Sequence, residues 1–267
     1  MWFHVRFFPD FCANFPMRDR PAPKLGLLNV NQESETMMSD ISSIDLKVHH
    51  KPADFSDRVA LFFTKTLRFV ADTFFAKRYG HRAVVLETVA AVPGMVGATI
   101  THLKCLRRMC DDQGWIRTLM EEAENERMHL MTFIQIANPT LFERFTIIAV
   151  QWVFYVGFFL LYLASPRTAH RLVGYFEEEA VISYSFYLQE IDEGHSENVP
   201  APPIARHYWK LGPEARLRDV VLLVRADEAH HRDVNHSFAE TLKGAPSAEA
   251  FAISPYPPHA DELTAAE

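Results

Sequence analysis

The chain has 267 residues, 48% hydrophobic and 23% charged, which excludes a disordered or collagen-like polypeptide. Its 27 Lys and Arg against 34 Asp and Glu leave a formal charge of -7, so there is no overall basic field for nucleic acid and that class of partner is excluded. Three cysteines without a CxxC spacing leave free thiols in a reducing compartment as the default, and only ten Gly favour helices over a turn-rich β architecture.

Residues 1–57 lack periodicity and contain Pro16, Pro21, Pro23 and Pro52, so they read as a poorly structured N-terminal arm. Asp10 and Asp19 fit neither a signal peptide nor an acid-poor transit peptide, and Met38, beyond which the patterning improves, is a candidate start. From residue 58, Val59, Phe63, Leu67, Val70 and Phe74 share one stripe at a helical period, with Lys65, Arg68 and Asp72 opposite. Followed by Lys77, Arg78, His81 and Arg82, this amphipathic helix suits either a bilayer interface or a protein core.

Further helices are expected at roughly 82–110, 113–138, 167–193 and 213–242. Pro93 should kink the first, which also holds Cys105 and Cys110, while Pro200, Pro202 and Pro203 imply an extended loop. Ile147 to Ala164 carries no charge and one strongly polar side chain, Gln151. At helical rise it reaches ~27 Å, marginal for a bilayer core. A single span there would separate Glu126 and His129 from Glu177 and Glu228, so the segment is expected to lie on the membrane or across the bundle. Domain boundaries follow as arm 1–57, helical domain 58–242 and tail 243–267.

Two Glu-x-x-His motifs, Glu126 to His129 and Glu228 to His231, each place a carboxylate and an imidazole on one helix face. Each follows a residue able to orient a ligand through a hydrogen bond, Asn125 and Asp227. Two other helices hold Glu in apolar settings: Glu87, and the triplet Glu177, Glu178 and Glu179. A buried lone carboxylate is costly unless paired or metal-bound. One Glu from each of two helices plus Glu-x-x-His from two others is the donor set of di-iron and di-manganese bundles. Glu121, Glu122 and Glu124 read as a solvated face, and either histidine alone would read as a core residue. Tyr184 lies two turns beyond Glu177 on its face, and its plainer reading is a core tyrosine with a bonded hydroxyl.

At these motifs the sequence resembles the alternative oxidases, the cyanide-insensitive ubiquinol oxidases. The strings that carry the resemblance are Leu86-Glu87-Thr88 with Val92-Pro93-Gly94-Met95-Val96, Glu124-Asn125-Glu126-Arg127-Met128-His129-Leu130, Glu177-Glu178-Glu179-Ala180, and Arg225 to His236. The resemblance implies an all-α, ferritin-like four-helix di-iron bundle that forms a homodimer and is held monotopically on one membrane leaflet by additional amphipathic and hydrophobic helices. It implies iron ligation by Glu87, Glu126, His129, Glu177, Glu228 and His231, a redox tyrosine at Tyr184, and a hydrogen-bond network through Asn125, Asp227 and His170. It places Arg82, Leu86, Phe176, Glu179, Ala180 and Ser183 at the quinol pocket.

The activity so implied oxidises two ubiquinols and reduces O₂ to two waters at two Fe ions, without proton pumping. The alternatives are a di-iron quinone-biosynthesis hydroxylase, which would insert one oxygen atom into a quinone precursor, and a non-catalytic metal store or scaffold. The arm suggests a bacterial cytoplasmic membrane first and the mitochondrial inner membrane second.

Overall fold

The computed structural model describes residues 45–75, 79–137 and 141–244. Cys12, Met38, Lys77, Arg78, the side chains of Phe74 and His81, and residues 245–267 of the tail lie outside what it describes. Among the described residues the regular elements are helices: α1 (Phe55–Phe75), α2 (Tyr79–Arg108), α3 (Trp115–Ala137), α4 (Leu141–Ala164), α5 (Pro166–Asp192), α6 (Pro203–Tyr208) and α7 (Leu217–Gly244).

Local chemistry sets the ends of these helices. Asp54 accepts from the Asp57 amide and Asp57 from the Ala53 amide, so two free donors at the start of α1 are satisfied. Asp112 accepts from the Ile116 amide at the start of α3. Ser165 caps α5 by accepting from the Thr168 amide, with Pro166 in the first turn, where its missing N–H costs nothing. The same property corrects the loop expected around Pro203, which instead opens the short helix α6. Pro93 lies inside a helix that continues past it to Arg108.

Helices α2 and α3 form one antiparallel pair and α5 and α7 another, and together they make the four-helix bundle. The α2–α3 approach is close at Gly94, where a β-carbon would stand 2.3 Å from the Leu119 carbonyl oxygen. In the other pair a β-carbon at Gly174 would meet the His236 ring at 2.5 Å. Leu217, Val220, Val221 and Val224 of α7 pack with Phe133, Tyr184 and Tyr187, while Val92, Val96 and Ile100 of α2 pack with Phe158 and Tyr162 of α4.

The remaining long helices lie on this bundle. α1 packs on α5, and α4 on α2 and α5. Gln151 of α4 donates to the Thr88 carbonyl, 3.2 Å away, anchoring the uncharged stretch Ile147–Ala164 to α2. α2 and α4 each contain a stretch long and apolar enough to cross a membrane, but the window in α2 is 67% buried and that in α4 only 11%. Bundle packing therefore accounts for the apolarity of α2 and leaves that of α4 outward. α1 behaves like α4: Phe62, Phe63, Leu67, Phe69 and Val70 are exposed, while Asp57, Ala60 and Thr64 face the protein. The aromatic stripe thus turns away from the protein's own core. Residues 45–54 form no helix, yet His49 Nδ1 and the His50 amide meet the Glu178 carboxylate at 2.5 and 2.8 Å.

Candidate metal centre

The bundle brings all six carboxylate and imidazole residues of the expected donor set into its buried interior: Glu87 from α2, Glu126 and His129 from α3, Glu177 from α5, and Glu228 and His231 from α7. His129 Nδ1 lies 3.5 Å from Glu87 Oε2, 3.4 Å from Glu126 Oε2 and 3.4 Å from Glu228 Oε1. His231 Nδ1 lies 2.7 Å from Glu126 Oε1, so Glu126 stands between the two imidazoles. One donor atom each from Glu87, Glu126, His129 and Glu228 falls within 4.8 Å of all the others.

These close approaches are not directed as hydrogen bonds. Glu87 Oε2, both Glu126 oxygens and the Nδ1 atoms of His129 and His231 are buried without a hydrogen-bond partner. Such atoms are costly to bury unless something else engages them. Burial, with Glu126 nearby, pushes both Glu87 and Glu228 up to about 8. Burial and Glu228 likewise push Glu177 well up. For Glu126 burial acts upward too, but the neighbouring His129 and His231 outweigh it and hold its carboxyl low. Four buried carboxylates and two imidazoles, with unengaged donor atoms on Glu87, Glu126, His129 and His231, suit two divalent cations of the iron or manganese type, whose charge would balance the site.

A ring of hydrogen bonds orients this interior. Asp227 Oδ2 meets His129 Nε2 at 3.2 Å and accepts from Asn125 Nδ2 and Trp209 Nε1, each at 3.0 Å. The histidine is thereby turned with Nδ1 inward. Asn125 also donates to the Tyr208 hydroxyl. Tyr208 and Trp209 stand at the end of α6, and no motif pointed to them because the segment read as loop.

On the other side, His170 Nδ1 lies 2.9 Å from Asn235 Oδ1, and its Nε2 lies 3.0 Å from the Tyr162 hydroxyl. Asn235 Nδ2 donates to Glu122 and to the His231 carbonyl. Glu122 is therefore no member of a solvated face. It is buried while Glu121 and Glu124 are exposed, and burial raises its carboxyl to about 7. The only sequence signal for it was its spacing: Glu122 lies one helical turn before Glu126.

The Glu triplet divides three ways because successive residues on a helix point about 100° apart. Glu177 faces the interior beside Glu228, and Glu178 accepts from His236 Nε2 at 2.9 Å. Glu179 pairs with Lys65 and Arg68 of α1. All three are buried. Tyr184 is buried, stacks on Phe133 with ring centroids 5.7 Å apart, and donates its hydroxyl to Glu87 Oε1.

A cavity of about 360 Å³ opens between α1, α2, α4 and α5. Glu87, Glu177, Tyr184 and Glu228 border it, as do the apolar Leu67, Val70, Val150 and Phe154. Arg82, Leu86, Phe176, Glu179, Ala180 and Ser183 all line it. Arg82 is itself paired with Asp72 on the polar face of α1. Cys105 lies in α2 as expected, but Cys110 stands beyond the end of that helix and is exposed, because α2 stops at Arg108.

Fold and donor set together define a four-helix di-iron carboxylate protein. The family model for alternative oxidase matches residues 36–240, and the chain belongs to that family. It is 60% identical over 202 residues to ubiquinol oxidase 1a, mitochondrial, of Arabidopsis thaliana, covering 76% of this chain and 57% of that protein. To ubiquinol oxidase 2, mitochondrial, of Nicotiana tabacum it is 58% identical, covering 76% and 68%. To ubiquinol oxidase 1a, mitochondrial, of Oryza sativa subsp. japonica it is 58% identical, covering 76% and 60%. The chain thus spans about three fifths of the length of these relatives. Their names fit the mitochondrial membrane expected second, not the bacterial membrane expected first, and they do not favour the hydroxylase reading.

Proposed function

We propose that this chain is a quinol oxidase of the mitochondrial inner membrane, taking electrons from two ubiquinols to reduce one O₂ to two waters without pumping protons. The observation that carries the reading is the set of unengaged donor atoms on Glu87, Glu126, His129 and His231 beside a cavity that reaches the exposed apolar face of α1 and α4. In this reading Glu87, Glu126, His129, Glu177, Glu228 and His231 hold two iron ions. When bound, the iron pair supplies the electron exchange with O₂ that no side chain can.

The chain's own residues do the rest. Asp227, itself held by Asn125 and Trp209, keeps His129 in the orientation that directs Nδ1 inward. Tyr184 holds a proton on its hydroxyl oxygen against Glu87 Oε1, a position from which it can pass the proton into the site. Arg82 and Glu179 supply polar contacts in an apolar wall and so orient a quinol head group, while Leu86, Phe176, Ala180 and Ser183 shape the space around its ring. The apolar lining keeps water from the reacting oxygen.

Residues 58–242 form the catalytic domain in this reading, between arm and tail. The exposed aromatics of α1 and α4 support insertion into one leaflet, with both helices in its plane, and a homodimer is the assembly inferred from the family. The test is O₂ uptake by membranes containing the expressed protein, fed with a short-chain ubiquinol in cyanide. Uptake that persists in cyanide, ends with water as the product and is lost in Glu126→Ala supports the oxidase. An iron-loaded wild type that takes up no O₂ refutes it.

A further inference from the structure

The C-terminal end of α2 closes in a Schellman motif. The Cys110 amide donates to the Cys105 carbonyl at 3.1 Å and the Met109 amide to the Leu106 carbonyl at 3.3 Å, the paired bonds that define this cap. Met109 takes the left-handed position, with φ of 50°, where glycine is the usual residue. In such a cap the side chains of the residues joined by the outer bond frequently pack together. Here both are cysteines. Cys105 is buried and Cys110 exposed. The ligand set and the cavity use neither residue.

We propose that Cys105 and Cys110 are a thiol–disulfide pair, oxidised by a small-molecule disulfide such as glutathione disulfide, that locks the end of the helix carrying Glu87. The spacing is not CxxC: the cap brings together residues five apart. The exposed Cys110 thiolate attacks one sulfur of glutathione disulfide, forming a mixed disulfide and releasing one glutathione thiolate. The Cys105 thiolate then attacks the Cys110 sulfur, forming the intramolecular bond and releasing the second glutathione thiolate. Two electrons and two protons pass in total from the cysteine pair to glutathione disulfide, which leaves as two thiols. Access selects Cys110 as the entry point, since Cys105 is buried and burial, with Cys110 beside it, pushes its thiol up to about 11.

The test uses the full chain, iron-loaded, equilibrated in glutathione buffers of graded redox poise, then alkylated and mapped by peptide mass spectrometry. The expected result is a Cys105–Cys110 linked peptide and loss of two free thiols out of three, Cys12 remaining alkylated. Cys12→Ser should still form the link, and Cys110→Ser should leave Cys105 alkylated at every poise. Hydrogen exchange at the Met109 and Cys110 amides should slow at least tenfold in the oxidised wild type and be unchanged by oxidation in Cys110→Ser. A stable mixed disulfide on Cys110, a link through Cys12, a link between chains, or three free thiols throughout would each overturn the proposal.

Discussion

The Tyr184 hydroxyl donates to Oε1 of Glu87, joining α5 to α2 in the buried interior and leaving Glu87 Oε2 without a hydrogen-bond partner. A tyrosine that merely filled the core would need only some acceptor, whereas this one holds a proton against a carboxylate of the donor set. Tyr184→Phe keeps the packing on Phe133 and removes the proton. We expect quinol-dependent O₂ uptake to fall ~100-fold or more with iron content unchanged, checked by oxygen electrode and metal analysis side by side. Equal losses of iron and activity would assign Tyr184 a structural role only.

Chelation should expose the cost of the site. Four buried carboxylates are then left with two imidazoles and no metal charge. Metal present at about a hundredfold over its dissociation constant contributes ~2.7 kcal/mol, so stripping it should lower the melting temperature by roughly 5–10 °C. Iron or manganese should restore it. Calorimetry of stripped and reloaded protein decides the matter.

Stability should depend on pH through His170. Burial lowers this imidazole from 6.5 to about 4, so the folded chain keeps it neutral where the unfolded chain already binds a proton. Between these values the unfolded state binds more protons, and stability falls as the pH drops from 6.5 towards 4. The contribution is about 3 kcal/mol at most. Denaturant titrations across this range should show a shallower loss for His170→Gln than for the wild type.

Gly94 sets the distance between Glu87 on α2 and Glu126 and His129 on α3. A β-carbon there meets backbone, the Leu119 carbonyl, which has no rotamer to yield. Gly94→Ala should therefore cost about 1–3 kcal/mol and reduce bound iron, whereas Gly157→Ala, which meets nothing within 4 Å, should leave iron content unchanged. Chemical denaturation together with metal analysis tests both.

The membrane face should be separable from the fold. Phe62 on α1 and Trp152 on α4 are 67% and 65% exposed, so changing them removes little internal packing. Phe62→Asp with Trp152→Asp should weaken vesicle binding at least ~10-fold while leaving helicity unchanged. Sedimentation with liposomes and circular dichroism are the two readouts, and unchanged binding would remove these helices from the interface.

Much of this was legible from residue order alone. A helix turns about 100° per residue whatever surrounds it, so the two Glu-x-x-His motifs had to present both donors on one face, and the apolar stripes marked the long helices within a few residues. Periodicity supplies direction around one axis but not what lies opposite. That is why Glu122 could not be separated from Glu121 and Glu124 until Asn235 of α7 was found against it, and why the division of Glu178 and Glu179 between the His49–His50 strap and α1 stayed out of reach. The same limit explains the aromatic stripe of α1. Sequence established that the helix is two-faced, and only packing on α5 decided that its small and polar face turns inward and its phenylalanines outward, because burial depends on the neighbour as well as on the residue.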